Sequence, residues 1–402
     1  KPMSLKVLVS GAGIAGLTLA ISLAKSGNSV ILFDKSDEFH EIGAGIQQAS
    51  NAMQIHAALG IDKQIESLSF EPESIDFYDL LTAKKLFSSD LLGAHKGRYG
   101  HKYLHIHRSD LHRTLLNEAK KYNVNIHLKS KVNSYVNTKT GVSTVINGKT
   151  FRGDVLIGAD GIRSSVRKHL NGVEVPNYTG YSAWRGLVQT SKLPPNLIPR
   201  ATNNWLGENK HIVCYYVKNG DYVNFVAVTK HDKWLEQDWK LEGSLSQMRD
   251  CFKDSDNRVQ ILLDNCHKCY LWGIFDIPPL DNWTDGHVTL IGDAAHPMMP
   301  FLAQGASVAI EDAWILTHYL NKYNKNIELG LKKYQEACLP KANLIQTYSK
   351  ENANLYHMQP SFKKWVRDRK LSIATKFPSL LNHKFDKIFG SNVVSNYPID
   401  FI

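Results

Sequence analysis

The stretch Val7-Leu8-Val9-Ser10-Gly11-Ala12-Gly13-Ile14-Ala15-Gly16 decides the fold, because a short apolar run breaks there into glycines spaced as GxGxxG. The run has the length and branching of a buried strand, and apolar residues then recur at helical spacing until Gly27. Gly11 permits a tight turn, Gly13 leaves room for phosphates, and Gly16 lets the helix pack closely on the strand. The pattern therefore predicts a dinucleotide site with the pyrophosphate at the helix N-terminus.

A second apolar run supports this prediction. Val30-Ile31-Leu32-Phe33 ends in Asp34, at the distance of about twenty residues where an acidic side chain accepts hydrogen bonds from an adenosine ribose. The alternative is a glycine-rich turn that binds nothing. We favour the dinucleotide site because the strand, the helix and the acid all accompany the glycines.

Length and composition predict a two-domain, cytoplasmic protein. The 402 residues exceed what one small core needs, and 43% hydrophobic with 21% charged residues are typical of soluble proteins. The sequence has no apolar window long enough for a membrane span, and its five cysteines do not suggest a disulfide framework. The net charge of +10 is spread along the chain, which predicts no nucleic-acid partner and a field that attracts anionic ligands.

One segment is locally dense in basic and aromatic residues, namely Phe362-Lys363-Lys364-Trp365-Val366-Arg367-Asp368-Arg369-Lys370. It suits either a membrane surface or a C-terminal helix packed on the body of the protein. We favour the packed helix because the segment is short and contains an aspartate.

Two further strand ends repeat the layout of the first. Val155-Leu156-Ile157-Gly158 breaks at Asp160-Gly161 and opens a helix capped by Ser164 or Ser165, and a strand ending at Ile291 runs into Gly292-Asp293. Gln304-Gly305-Ala306 then precedes another helix, so a second helix N-terminus is available to an anion or a polar ring.

Three other features bear on a ligand site. The glycine-bearing loop 41–48 suggests backbone held near a flat ligand at Gly45, and Arg108 stands before a helix where it either reaches a phosphate or holds the loop. Residues 178–230 alternate like strands rich in aromatic residues and predict an antiparallel sheet that walls an apolar pocket. The CxxC pair Cys266 and Cys269 lacks a second pair, so we interpret it as a coincidence rather than a zinc site, and we predict no metal.

With these three strand ends in order, the sequence resembles the single-component FAD-dependent monooxygenases that hydroxylate aromatic rings, over about residues 5 to 350. The stretches 41–47 and 181–188 are similar to the salicylate and 3-hydroxybenzoate hydroxylase branch. The tetracycline-inactivating monooxygenases are more distant relatives. The resemblance implies FAD contacts from Gly11, Gly13, Ala15, Gly16, Asp34, Lys35, Gly45, Arg108, Asp160, Gly161, Gly292, Asp293, Gly305 and Ala306.

The resemblance also implies the reaction. NADH or NADPH reduces FAD, and a C4a-hydroperoxyflavin transfers oxygen from O2 to an electron-rich aromatic small molecule. A phenolic substrate needs a base, and His211 and Tyr215 share one face of a predicted strand, so we predict them as catalytic residues. Pro300 is the third predicted catalytic residue, because it shapes a rigid, dry loop beside the ring.

The sequence departs from the family pattern at two cofactor positions. Asp34 replaces the usual glutamate and has a shorter reach, and Ala303 stands where the loop usually reads Gly-Gln-Gly, which stiffens or displaces the backbone that binds the ring. The alternatives to a monooxygenase are a flavin-dependent reductase or dehydrogenase on the same scaffold, for example one acting on isoprenoid chains, and a non-catalytic dinucleotide-fold binding module.

The predicted fold class is α/β, with a Rossmann-like FAD-binding domain built on a parallel sheet, an inserted antiparallel-sheet substrate domain and a helical C-terminus. The predicted oligomeric state is a monomer or a homodimer. The predicted boundaries are 1–71, 97–177 and 282–345 for the FAD-binding domain, 72–96 and 178–281 for the substrate domain, and 346–402 for the C-terminal helical segment.

Overall fold

The computed structural model describes residues 3–39, 44–172, 174, 176–232, 242–298 and 303–402. Its strands are β1 Lys6–Ser10, β2 Ser29–Phe33, β3 Gly45–Gln48, β4 Ser74–Asp79, β5 Lys85–Asp90, β6 Leu104–His107, β7 Asn125–His127, β8 Val136–Asn137, β9 Val142–Ile146, β10 Lys149–Gly153, β11 Val155–Gly158, β12 Asn177–Gln189, β13 Thr202–Gly207, β14 Lys210–Val217, β15 Tyr222–Lys230, β16 Glu242–Gly243, β17 Cys269–Asp276 and β18 Val288–Leu290.

The helices of the described residues alternate with these strands and then dominate the C-terminal part. They are α1 Ile14–Lys25, α2 Ser50–Ala58, α3 Asp62–Leu68, α4 Ala94–Tyr99, α5 Arg108–Lys121, α6 Ser165–Asn171, α7 Leu245–Cys251, α8 Asn257–Asp264, α9 Gly305–Lys322, α10 Ile327–Tyr356, α11 Phe362–Lys376, α12 Ser379–Phe389 and α13 Val393–Asn396. No helix among the described residues is both long and apolar enough to cross a membrane.

A parallel sheet with the order β18-β11-β1-β2-β7 forms the first layer. The apolar run at residues 7–9 lies in β1 at its centre, where each of the three side chains is fully buried, and β1 pairs with β2 on one side and β11 on the other. Strands buried on both faces read as continuous apolar runs, which explains why the sequence located them well. The predicted α/β fold class is confirmed.

A second sheet has the order β16-β17-β12-β15-β14-β13-β4-β5. It is antiparallel as predicted, except that β13 runs parallel to β4. This exception arises because the β4–β5 hairpin comes from an earlier part of the chain, and it joins the edge of the sheet without a hairpin connection to β13. Large sheets commonly mix the two kinds of pairing.

The structure differs from two of the sequence interpretations. The second part of the predicted loop 41–48 is strand β3, which pairs with β6, whereas residues 40–43 lie outside the described part. The predicted boundary between 345 and 346 falls inside helix α10, which is continuous from Ile327 to Tyr356. The remaining domain boundaries stay predictions, although the strands of the second sheet all fall within or one residue from the stretches predicted for the substrate domain.

Candidate functional site

A cavity of about 840 Å³ lies between the carboxyl ends of the parallel strands, the second sheet and the C-terminal helices. We call one part of its wall the glycine end, formed by Gly13, Ile14, Ala15, Lys35, Arg108, Ala159, Asp160, Gly161, Asp293, Ala303, Gly305 and Ala306. We call another part the aromatic end, formed by Gln47, Tyr103, Arg185, Asn204, His211, Tyr215, Trp272, Asn352 and Tyr356.

The first glycine turn is shaped by close backbone packing. A Cβ atom at Gly11 would lie 2.2 Å from the carbonyl oxygen of Ala159, and one at Gly16 would lie 1.9 Å from that of Gly11. At Gly13, by contrast, a Cβ would meet no described atom within 4 Å. Two glycines therefore serve the fold, and the third leaves open space at the cavity wall, as a bound pyrophosphate requires.

Two helix N-termini point their first turns into the cavity. Helix α1 begins after Gly13 and helix α9 after Gln304, and among the described residues no side chain caps either of them. Ile14, Ala15, Gly305 and Ala306 of these first turns line the wall. Uncapped N–H groups and the positive end of the helix dipole make both places suitable for phosphate or a polar ring edge.

The three predicted carboxylates have different surroundings. Asp34 is behind the wall, where its side chain accepts hydrogen bonds from the backbone N–H groups of Ala12 at 2.8 Å and Ser36 at 2.9 Å. Its neighbour Lys35 lines the cavity instead. Asp34 thus holds the glycine turn against the end of β2.

Asp160 and Asp293 both line the glycine end. Asp160 accepts hydrogen bonds from the Ser164 hydroxyl and, at 3.1 Å, from the N–H of Ser165, so it stabilises the start of α6. Burial raises its pKa. The Asp293 side chain is solvent-exposed in the cavity, and Gly292 lies behind it, where its N–H donates to Asp312 at 3.0 Å.

Gly45 borders the aromatic end for a packing reason. A Cβ there would lie 2.5 Å from the ring of Tyr215 and 2.7 Å from the amide nitrogen of Asn224. Its N–H donates to the Asn224 side-chain oxygen at 2.8 Å. The glycine therefore lets β3 approach the second sheet, and this contact brings both sheets to one cavity.

Arg185 places a cation in the cavity. Its guanidinium lies 3.9 Å from the centre of the Trp272 ring, and its Nε has no hydrogen-bond partner among the described residues. Burial and the nearby charge of Arg108 lower the pKa of Arg185 to about 9. Arg108 also lines the wall, where its backbone N–H donates to Ala44. A desolvated guanidinium of this kind favours a bound anion.

His211 lies at the aromatic end, 3% exposed, with its Nδ1 2.6 Å from Nε2 of His357. Burial, and then the neighbouring His357, lower the pKa of His211 well below its usual value. Burial also lowers the pKa of His357 to about 4, so both rings are neutral near pH 7. Two neutral imidazoles in hydrogen-bond contact form a path along which a proton can move.

Tyr215 shares this end of the cavity with His211, as predicted for positions four apart on β14. Its ring stacks on His105 with centroids 4.1 Å apart, and His105 Nε2 lies 2.8 Å from the Thr202 hydroxyl. Burial raises the pKa of the Tyr215 phenol, so it is a neutral hydrogen-bonding group at physiological pH.

Five further residues come from the stretches discussed above, and the structure describes four of them. Pro300 lies outside the described residues. His296 contacts the Asp312 carboxylate. Burial lowers the pKa of His296, but the charge and hydrogen bond of Asp312 outweigh this and raise it overall. Trp184 is core, with its Nε1 donating to Thr229. Cys266 and Cys269 are free thiols.

Sequence reasoning missed several residues that form or support the aromatic end. Tyr356 and His357 stand at the end of α10, in a stretch where periodicity indicated only a helix. Tyr103, whose hydroxyl donates to the Gln47 side chain, lies before β6. A polar or aromatic residue at a helix end gives no local signal of a site, because only the tertiary fold brings it to the cavity.

The chain is similar to known proteins over most of its length. A family model described as an FAD binding domain matches residues 4–349. The chain is 34% identical to 3-hydroxybenzoate 6-hydroxylase 1 of Aquipseudomonas alcaligenes over 354 residues, which are 87% of this chain and 89% of that protein. It is 31% identical to the 6-hydroxynicotinate 3-monooxygenase of Pseudomonas fluorescens over 350 residues, 86% of this chain and 91% of that protein. A structure of a salicylate hydroxylase substrate complex, 27% identical, superposes with a TM-score of 0.82 and covers 98% of both chains.

Proposed function

The chain belongs to the family of FAD-dependent aromatic-ring monooxygenases, and we propose that its substrate is an aromatic ring carrying both a hydroxyl group and an anionic group. The protein is an oxidoreductase that uses NAD(P)H and O2 to hydroxylate a small aromatic molecule. FAD, when bound, supplies the chemistry by accepting a hydride and activating O2 for transfer to the ring.

The glycine end fits FAD because it offers open space at Gly13 and two uncapped helix N-termini. The residues proposed to contact the cofactor directly are Gly13, Ala15, Lys35, Arg108, Asp160, Gly161, Asp293, Gly305 and Ala306. Gly11, Gly16, Asp34, Gly45 and Gly292 are proposed to hold the surrounding backbone in place.

The observation that carries the substrate proposal is the Arg185 guanidinium at the aromatic end. Its Nε–H is buried and lacks a hydrogen-bond partner among the described residues, and a buried donor without one is costly. A substrate carboxylate would supply the missing acceptor and charge. The Trp272 ring, whose centre lies 3.9 Å from the guanidinium, holds Arg185 at this end of the cavity.

His211 is the proposed base. In the tautomer whose Nδ1–H donates to His357 Nε2, the Nε2 of His211 is the atom that accepts the phenolic proton. Removal of this proton makes the ring more electron-rich, which helps oxygen transfer. His357 orients the imidazole and receives the proton that leaves Nδ1, so we propose it as a positioning residue.

A pair of probes that differ only in charge tests the proposal. We expect a hydroxybenzoate to give stoichiometric NAD(P)H oxidation, O2 uptake and hydroxylated product, and the matching hydroxybenzamide to show a kcat/KM lower by about tenfold or more. Arg185→Met should raise KM for the acid by about tenfold to a hundredfold and leave the amide nearly unaffected.

Arg152→Met, at an exposed position on β10, is the control and should leave kcat/KM unchanged for both the acid and the amide. Equal turnover of the acid and the amide would contradict the anionic substrate. Flavin reduction without any hydroxylated product from a panel of acids would favour the reductase alternative. We further propose that the protein is cytoplasmic and works as a monomer or homodimer.

A further inference from the structure

Helix α11 has an apolar face turned away from the protein. Arg367 and Ala374 lie on its buried side, whereas Phe362, Trp365 and Ile373 are 78%, 54% and 50% exposed. At 100° per residue the last three fall within one third of the helix circumference, opposite the buried side. The exposed apolar residues therefore form a stripe rather than scattered positions.

The stripe continues into α12. Phe377, which directly follows α11, is 60% exposed, and Leu380 in the first turn of α12 is 63% exposed. We call these five residues, Phe362, Trp365, Ile373, Phe377 and Leu380, the α11–α12 stripe. Contiguous exposed apolar patches on soluble proteins commonly mark an interaction surface.

Positive charge surrounds the stripe. The exposed basic residues of α11 and α12 are Lys363, Arg369, Lys370, Lys376 and Lys387. The two acids of this stretch are already paired: Asp368 with Lys364 and Arg367, and Asp386 with Arg98 at 2.7 Å. The outward surface of α11 therefore combines exposed apolar and basic side chains, because at 100° per residue Arg369 and Lys376 fall on the same third of the helix as the stripe.

This combination fits an anionic lipid surface better than a second copy of the chain. A symmetric dimer would place one cationic rim against the other, which is repulsive. At a bilayer, aromatic and aliphatic side chains enter the region between headgroups and acyl chains while Lys and Arg contact anionic headgroups. Trp365, with Phe362 stacked on it at 5.9 Å and Arg369 5.3 Å from its ring, suits that interface.

We propose that the α11–α12 stripe docks the protein peripherally on anionic bilayers. The inner sides of the same helices line the cavity, through Leu371 of α11 and Leu381 and Phe385 of α12. Docking therefore sets the outer wall of the cavity beside the lipid. The proposal is independent of the identity of the ring that is hydroxylated.

Vesicle co-sedimentation of the full-length, FAD-loaded protein tests the docking. We expect binding to phosphatidylcholine vesicles that contain phosphatidylserine, and binding weaker by about tenfold or more to phosphatidylcholine alone, since each Lys or Arg near the surface adds about 1 kcal/mol. High salt should weaken the binding because it screens these contacts.

Two double variants separate the apolar and the charged contributions. Trp365→Ser with Ile373→Ser, and Lys363→Glu with Lys370→Glu, should each reduce binding by about tenfold or more. Val136→Ser with Val145→Ser, which removes side chains that are 64% and 58% exposed elsewhere, should leave binding unchanged. Unchanged FAD content and melting temperature show that each variant is folded.

Absence of binding to anionic vesicles would overturn the proposal. Equal binding by the wild type, the Trp365/Ile373 variant and the Lys363/Lys370 variant would overturn it as well. So would a concentration-dependent dimer in analytical ultracentrifugation that the stripe variants abolish while vesicle binding is absent. That result would assign the stripe to self-association.

Discussion

The glycine end and the aromatic end of the cavity are built in different ways. At the glycine end, most wall residues follow the carboxyl end of a parallel strand by a few positions, as Gly13 follows β1 and Asp160 follows β11. The aromatic end takes side chains from the middle of strands and the end of α10, as with Arg185 and Tyr356. Backbone geometry makes the first end, whereas side-chain placement by the tertiary fold makes the second.

The largest expected effect tests the backbone origin of the glycine end. Gly16→Ala should destabilise the protein by about 3 kcal/mol or more, because its Cβ would lie 1.9 Å from the Gly11 carbonyl oxygen and neither backbone can move away. Gly13→Ala should change the free energy of unfolding by about 1 kcal/mol or less and weaken FAD binding by about tenfold or more. Urea denaturation and flavin fluorescence titration measure the two quantities.

These glycines are matched controls for each other, since they lie three residues apart in one turn. A Gly13→Ala protein that binds FAD normally would show that the cofactor does not approach this backbone. A stable, FAD-loaded Gly16→Ala protein would contradict the packing argument.

At the aromatic end, we expect substitutions to lower kcat/KM without unfolding the protein. His211→Asn should lower kcat/KM by about a hundredfold, within the range for loss of a general base. His357→Gln keeps a hydrogen-bonding group beside His211, so we expect a loss of only about tenfold. It also removes one cause of the lowered pKa of His211, so the acid limb of the kcat/KM profile should move to higher pH.

A pH profile that His357→Gln leaves in place would assign His357 a packing role only. His357→Phe is the companion variant, because it keeps the ring stacking on Tyr181 but cannot accept the hydrogen bond. We expect it to lose more activity than His357→Gln. Circular dichroism and FAD content verify that each variant is folded.

The same difference explains what could be predicted from the sequence. The strand that starts at residue 6, the glycine turn and the strand ends at Asp160 and Asp293 were predictable, because short-range backbone patterns specify them. His211 and Tyr215 were predictable as neighbours on one strand face. His357 was not, because its contact spans 146 positions and depends on how α10 packs against β14.

Acid should act in opposite directions on the histidines His105 and His357 behind the aromatic end and on His296. Burial lowers the pKa of His105 to about 3 and that of His357 to about 4, so below pH 6.5 the unfolded chain binds more protons than the folded one. The free energy of unfolding therefore falls as the pH drops from 6.5 to about 4, by roughly 1 kcal/mol per pH unit for each group. His296, behind the glycine end, has a raised pKa, so its contribution is complete below pH 6.5 and is lost as pH rises through that pKa.

Hydrogen-exchange mass spectrometry at pH 7 and pH 5, with rates corrected for intrinsic exchange, compares the two ends in one sample. Peptides over β13 and β14 should lose protection at pH 5 before peptides over β1 and β18 do. Equal loss of protection in both sets of peptides would mean that the protein unfolds as one unit and that the two ends do not differ in local stability.

The smallest expected effect concerns Ala303, where the sequence departs from the family pattern at the glycine end. Ala303 has φ of 56°, in the left-handed region that costs a residue with a Cβ roughly 1 to 2 kcal/mol. Glycine removes this strain but adds about 0.5 to 1 kcal/mol of unfolded-state entropy, so Ala303→Gly should stabilise the protein by about 1 kcal/mol or less. Ala83, with φ of 62° in the exposed turn between β4 and β5, is the matched control, and Ala83→Gly should give a similar gain in urea denaturation. If only Ala303→Gly also changes the Kd for FAD, the strain at position 303 acts on the cofactor; if neither variant changes it, the alanine affects stability alone.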